Sequence, residues 1–209
     1  MISLSNAVVF GWHSAIMGMR NPMNSWPKSD SVFYSDFSCK IGQNDLDLME
    51  RLIKSGTEHR KFLRMIHVQM DIEAPLYWWK EFDTYKVGTT ANSCSTMHKI
   101  AAKEFTIKDF SVEHLLAENT VYFGKTIERL NNARNKFLET KDKKYWWQMI
   151  QLLPSSYNQL RTVDLNYEVL LNQYFQRKDH KLDEWRIYCE QIKCFPYLND
   201  FIEVLKNEQ

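Results

Sequence analysis

From His67 to Glu73 the chain alternates strictly between polar and apolar side chains, with Val68, Met70 and Ile72 set among His67, Gln69, Asp71 and Glu73. A helix would spread those three apolar groups around its circumference, whereas a strand puts every second residue on one face. The spacing predicts a strand over about 64 to 73 with one buried side. The segment before it has the other period. Leu46, Leu48, Met49, Leu52 and Ile53 follow helical spacing, Asn44 can cap the start and Gly56 fits the stop, so a helix over 44–55 is expected. Pro75 suits a first helical turn, which makes Leu76 to Phe82 a short aromatic helix.

Beyond this point Tyr85 to His98 is small and polar, which reads as a loop and a place to look for chemistry. Ser111 to about Leu138 carries Val112, Leu115, Leu116, Ile127, Leu130 and Phe137 at mostly helical intervals, one long or broken helix. Tyr145 to Leu153 is expected to be another, ended by Pro154. Val163 to Gln176 and Leu182 to Ile192 continue the pattern around the polar link Arg177 to Lys181, and Pro196 opens a last amphipathic helix. The C-terminal half is therefore expected to be nearly all helix. With no repeat and no linker rich in Pro, Gly or Ser, residues 1–209 read as a single domain of α/β or α+β class, and 44% hydrophobic content is enough to give it a core.

Lysine plus arginine number 27 against 26 acids, so no global basic field points to nucleic acid. No apolar run approaches the roughly 20 residues that cross a bilayer, and a soluble cytoplasmic protein without a membrane partner is expected. The four cysteines lack CxxC spacing and are expected to be reduced, while the six histidines form neither HExxH nor a paired Cys/His pattern, so no metal is expected. With only six glycines and none of GxGxxG, GxxxxGK[ST] or GxSxG, any phosphate or flavin site here must be built from side chains.

Several blocks carry a family resemblance. Asp45 to Glu58 looks like the helix and Gly-containing turn that precede the first sheet strands of ThyX proteins, and Ser14-Ala15 and Arg20 resemble that family's N-terminal Ser-Ala and Arg. Ala74-Pro75 precedes Thr84 at the offset that separates the family's Ala-Pro from its RHRxxSxNExSxR motif. With one residue inserted near 89–91, Thr84-Tyr85-Lys86 occupies the RHR positions, Asn92 the Asn, Ser93 the Glu, Ser95 the second Ser and Met97 the final Arg. A more specific block is Leu153-Pro154 followed by Asn166, Asn172, Arg177, His180 and Trp185. It resembles the family's Leu-Pro, two Asn, Arg and His-x-x-Trp, ungapped from Leu153 to Arg177 and shifted by one residue around His180. On these residues the chain resembles the ThyX family of flavin-dependent thymidylate synthases.

The resemblance implies an α+β fold, mainly an antiparallel sheet flanked by helices with a helix-rich C-terminal half, and a homotetramer with active sites between subunits. It further implies a flavoprotein methyltransferase of nucleotide biosynthesis, in which NADPH-reduced FAD helps to move a methylene from methylenetetrahydrofolate onto dUMP, giving dTMP.

By resemblance Arg177 contacts dUMP and is expected to act catalytically, and a guanidinium fork suits a phosphate or a pyrimidine carbonyl that gains charge during reaction. The plainer alternative is a solvated arginine at a helix end. Asn166 and Asn172 offer amide donors and acceptors to a flavin ring or ribose, His180 could assist or stack near the flavin ring, and Asn92, at the motif's Asn, and Tyr85, able to stack where the family has His, are assigned to the cofactor too. Exposed helical asparagines, a surface histidine and a half-buried tyrosine are the competing readings. Lys86 can neutralise a phosphate without arginine's bidentate geometry; a surface lysine is the alternative. Ser95 is assigned to substrate and catalysis, and His98 to substrate as a replacement anion donor. Cys94 beside Ser95 reads as an inert thiol rather than a nucleophile. Trp78-Trp79 and Trp146-Trp147 read as core or subunit-interface packing, because adjacent helical residues do not share a face. Two further functional classes stand beside the enzyme: a ThyX-fold flavin or nucleotide binder with altered or lost methyl transfer, and a purely structural helical oligomer.

Overall fold

A computed structural model describes residues 1–207. The alternation around Met70 is realised as a strand, β4 (His67–Pro75), in which Val68, Met70, Ile72 and Ala74 are buried while Gln69 and Glu73 are exposed. With β1 (Ser3–Phe10), β5 (Thr89–Ser93) and β6 (Asn158–Asn166) it forms a four-stranded antiparallel sheet in the order β1-β4-β6-β5. A separate small hairpin pairs β2 (Val32–Phe33) with β3 (Cys39–Lys40), Val32 opposite Lys40. Eight α-helices occur among the described residues: α1 (Trp12–Arg20), α2 (Gln43–Lys54), α3 (Leu76–Phe82), α4 (Ala117–Thr140), α5 (Lys143–Leu152), α6 (Tyr167–Arg177), α7 (Asp183–Ile192) and α8 (Leu198–Lys206). The fold class is α+β, an antiparallel sheet flanked by helices, as the sequence leads one to expect. No helix among the described residues is long and apolar enough to cross a membrane.

The chain divides into two compact units. The first comprises Met1–Ser3, Ile72–Thr84 and Asn92–Arg161. Within it α3 buries Trp78, Trp79 and Phe82 completely or nearly so, with ring centroids about 5 Å apart. Trp79 Nε1 donates to the Gln159 carbonyl at 2.9 Å, and the Arg161 guanidinium lies 4.2 Å over the Trp79 ring while donating to Asp83 at 2.7 Å. A second cluster joins Ile100, Phe105, Phe110, Leu130, Ala133 and Met149 where α4 packs on α5, and Trp146 covers its edge. Trp147 is instead 44% exposed.

The second unit comprises Leu4–Asp71, Tyr85–Ala91 and the chain from Thr162 onward. Helix α2 starts at Gln43 with Gly42 at the N-cap, not Asn44. Its first-turn N–H groups find their acceptor outside the helix, where the Asp30 carboxylate takes Asn44 N at 3.0 Å and Asp45 N at 3.2 Å. Gly56, at φ +96°, follows the last turn and ends it as expected. The buried Asp45 carboxylate accepts from Arg20 Nε at 2.6 Å, Ser31 Oγ at 2.7 Å and Ser29 Oγ at 2.8 Å, tying the end of α1 to the start of α2.

Further expectations need correction. The segment expected to be helical from Val163 is strand β6 as far as Asn166, with Val163 and Leu165 buried and Thr162 exposed. Asp164 on that strand accepts from Gln69 at 2.8 Å and sits 2.9 Å from His67 Nδ1, a cross-strand polar cluster that no helix could form. The Tyr85–His98 segment contains β5, whose polar Thr-Thr-Ala-Asn-Ser sequence at the sheet edge hides any alternation. Strand β1 has no alternating signal either, because most of it is exposed. Finally, the long helix begins only at Ala117 and the last at Leu198.

Candidate functional site

The junction of β6 and α6 places the asparagines. Asn166 is not a helix-interior residue but the N-cap of α6, in extended conformation, with its Oδ1 accepting from Val169 N at 3.1 Å. This is the position where asparagine is most useful to a helix, since it satisfies one of the orphan N–H groups. Asn172 lies in the middle of the same helix and Arg177 is its last residue.

Asn166 and Asn172 line a cleft of about 530 Å³ together with Thr57, Arg60, Arg64, Val87, Gly88, Glu168 and Val169. Glu168, in the first turn of α6, holds Arg60 through both carboxylate oxygens, at 2.9 Å to Nη2 and 3.0 Å to Nε. Arg64 is exposed and reaches the Thr57 carbonyl only at 3.5 Å. Two guanidiniums against one carboxylate leave the cleft lined by an excess of positive charge, with side-chain amides beside it. Gly88 closes one wall at φ +73°, so near Asn166 that a Cβ on it would stand 2.8 Å from Nδ2. Only glycine lets this backbone approach the amide.

At the C-terminal end of α6 the half-buried Arg177 is held on several sides. Its Nε donates to Tyr85 Oη at 2.9 Å, and its guanidinium carbon lies 4.9 Å over the Trp185 ring and 5.7 Å from the Tyr85 centroid. Tyr85 Oη also donates to Gln176 Oε1 at 2.9 Å, and Gln176 Nε2 donates to Asn172 Oδ1 at 2.7 Å. The His180 ring meets Trp185 edge-on at 6.4 Å, and its Nδ1 accepts from Leu182 N at 3.1 Å. Cys189 in the same unit is buried, and that burial pushes its thiol up to about 12, out of reach of nucleophilic chemistry.

Of the residues singled out in the sequence, Tyr85, Lys86, Asn166, Asn172, Arg177 and His180 fall in the second unit, and Asn92, Ser95 and His98 in the first. Tyr85, Asn172 and Arg177 are joined by hydrogen bonds that run through Gln176, while Lys86 is exposed, just before the Val87-Gly88 turn. Ser95 Oγ accepts from His98 N at 3.0 Å, a local turn contact, and both Asn92 and His98 are exposed. The sequence reading missed Thr57, Arg60, Arg64, Gly88, Glu168 and Gln176. The only local signal was a pair of arginines just beyond the Gly56 helix stop.

No family model matches the chain, and no curated protein matches it. Solved structures do. A Helicobacter pylori flavin-dependent thymidylate synthase ThyX, complexed with FAD and dUMP, aligns over 96% of both chains with a TM-score of 0.68 at 15% identity. The chain has the ThyX fold. A second Helicobacter pylori ThyX structure with FAD and dUMP covers 98% of each chain at a TM-score of 0.69, again at 15% identity. PolB from Streptomyces cacaoi, a UMP/dUMP methylase bound with 5-Br dUMP, aligns over 99% of this chain and 94% of its own, with a TM-score of 0.61 at 11% identity. At such identities the likeness is one of fold, carried almost entirely by backbone.

Proposed function

We propose that this protein is a flavin-dependent enzyme of the ThyX type that methylates C5 of a pyrimidine nucleotide, dUMP in the first instance, with methylenetetrahydrofolate as one-carbon donor and NADPH as reductant. The observation that supports it most is the helix α6, which carries a capping amide, a mid-helix amide and a π-braced arginine in series beside a cationic cleft, all on the ThyX fold.

The cleft fits part of an FAD. It offers side-chain amides at Asn166 and Asn172, cations at Arg60 and Arg64, and a wall at Gly88 whose backbone lies close against the Asn166 amide. These residues, with Tyr85 and His180, are assigned to the flavin, and Asn92 is assigned to it by family resemblance alone. Reduced flavin, when held there, would supply the hydride equivalent needed to turn a transferred methylene into a methyl. The rest falls to the chain. Arg177, with its face braced by Trp185, meets the nucleotide phosphate or a uracil oxygen that gains negative charge, where a fixed donor is worth most. Lys86 adds a cation for the phosphate, Ser95 is assigned to the nucleotide by family resemblance alone, and His98 is assigned to it as a replacement for the motif arginine. A homotetramer belongs to the same proposal.

A second reading is favoured by one specific observation: Ser93 and Met97 stand where the motif has Glu and Arg, so a nucleotide-binding flavoprotein with altered chemistry fits the same fold. One experiment addresses both. Purified protein incubated with FAD is expected to retain a flavin absorption spectrum, and dUMP is expected to shift it. Arg177→Ala should weaken dUMP by about 2 kcal/mol, roughly thirtyfold, and Arg177→Lys should restore part of it. Protein that neither retains FAD nor binds dUMP contradicts both readings. Binding without methyl transfer selects the second.

A further inference from the structure

The hydrogen bonds running from Arg177 through Tyr85 and Gln176 to Asn172 have a direction. A guanidinium only donates, so Tyr85 Oη must accept from Arg177 Nε, at 2.9 Å. The phenol's single hydrogen is then left for Gln176 Oε1, also at 2.9 Å. That contact turns the Gln176 amide so that its Nε2 donates to Asn172 Oδ1 at 2.7 Å, one helical turn earlier on α6. With Oδ1 engaged, the other polar group of Asn172 is its NH2, and Asn172 lines the cationic cleft. Each orientation follows from the one before, beginning at a residue that cannot reverse. Tyr85 is buried and its ring also meets Trp185 at 6.0 Å, so its hydroxyl is not free to wander.

We infer that Tyr85 and Gln176 are positioning residues: Tyr85 sets the plane of the Arg177 guanidinium, and Gln176 fixes the Asn172 amide as a donor toward the cleft, selecting an acceptor-rich group there. This rests on the reading that Arg177 meets the nucleotide and Asn172 the flavin. It departs from that reading in taking Tyr85 away from the flavin and giving it to Arg177. Hydrogen bonds in a chain that begins at a guanidinium polarise one another, so losing either middle side chain loosens chiefly the end beside it.

The test is calorimetric titration with dUMP and, separately, with FAD, on wild type, Tyr85→Phe and Gln176→Leu, with thermal unfolding to verify that each variant is folded. Tyr85→Phe keeps the ring and removes only the hydroxyl; it is expected to weaken dUMP about fivefold, since part of the charge-assisted hydrogen bond that holds the guanidinium is lost while its stacking on Trp185 remains. Gln176→Leu is expected to weaken FAD by a similar factor. In an Arg177→Ala background Tyr85→Phe should cost no further dUMP affinity, and in an Asn172→Ala background Gln176→Leu should cost no further FAD affinity. Equal further losses in those backgrounds would show that the two side chains act on ligand directly and would overturn the inference. So would unchanged affinities in both single variants when the wild type binds both ligands. A wild type that binds neither ligand removes the proposed function itself, and this inference with it.

Discussion

Replacing Gly88 with alanine perturbs the closest backbone approach in the cleft, and its cost can be worked out term by term. At φ +73° an L-residue sits in the left-handed region, which costs about 1–2 kcal/mol, while the stiffer unfolded chain returns about 0.4–1 kcal/mol. The new Cβ would stand 2.8 Å from Asn166 Nδ2 and 3.3 Å from Val169 Cγ2. A flexible side chain would step aside at little cost, but this amide is the buried N-cap of α6, bonded to Val169 N. Moving it forfeits the cap, about 1 kcal/mol. Gly88→Ala is therefore expected to destabilise by about 1.5–2 kcal/mol in urea denaturation. The sharper quantity is the coupling. In an Asn166→Ala background the collision and the cap are both gone, so Gly88→Ala should cost about 1 kcal/mol less than it does in the wild type. Costs that add to within about 0.3 kcal/mol in the double variant would refute the close approach as the source of the effect.

Asp45→Asn should cost about 3–5 kcal/mol, because it leaves the buried Arg20 guanidinium without its counter-ion. Burial by itself raises the Asp45 carboxyl, but hydrogen bonds from Ser31, Ser29 and Arg20 outweigh it and hold the group below its usual value. Its contribution is thus full above an unfolded-state value of about 3.9 and is lost as pH falls through the lower folded value, so wild type should lose stability across that acid window more steeply than Asp45→Asn. Parallel profiles would count against the assignment. Arg60→Met is expected to lower stability by about 1.5–3 kcal/mol, since both Glu168 oxygens are engaged and the pair is largely shielded; a change under about 0.5 kcal/mol in denaturant would show the pair to be idle. Trp79→Ala should cost about 3–5 kcal/mol by emptying a fully buried site and freeing Arg161 from the ring, and a thermal midpoint within a degree or two of wild type would contradict that.

Local periodicity determined much of this protein by itself. The alternation of Val68, Met70 and Ile72 is strand β4, the apolar stripe ending at Gly56 is α2, and Pro75 and Pro154 mark the edges of α3 and α5. These are readings of which side of the backbone faces the core, and a few neighbouring residues suffice to make them. The same periodicity put Asn166 and Asn172 on one helix and left Arg177 in the link after it, whereas Arg177 is the last residue of α6. Where that helix begins depended on tertiary structure. Val163 and Leu165 suit a helix that runs on into Leu170 and Leu171 as well as they suit a strand, and only the neighbouring strand, with His67 and Gln69 set against Asp164, decides for β6. Once β6 ends at Asn166, that residue changes from a poor helix-interior asparagine into a cap. The remainder of the candidate site was decided by distant partners: Arg60 meets Glu168, Gly88 lies against Asn166 and Tyr85 holds Arg177. A side chain's chemistry can be read in its own letter, but its hydrogen-bond partner is whatever backbone and side chains the fold brings within 3 Å, and that information is nonlocal.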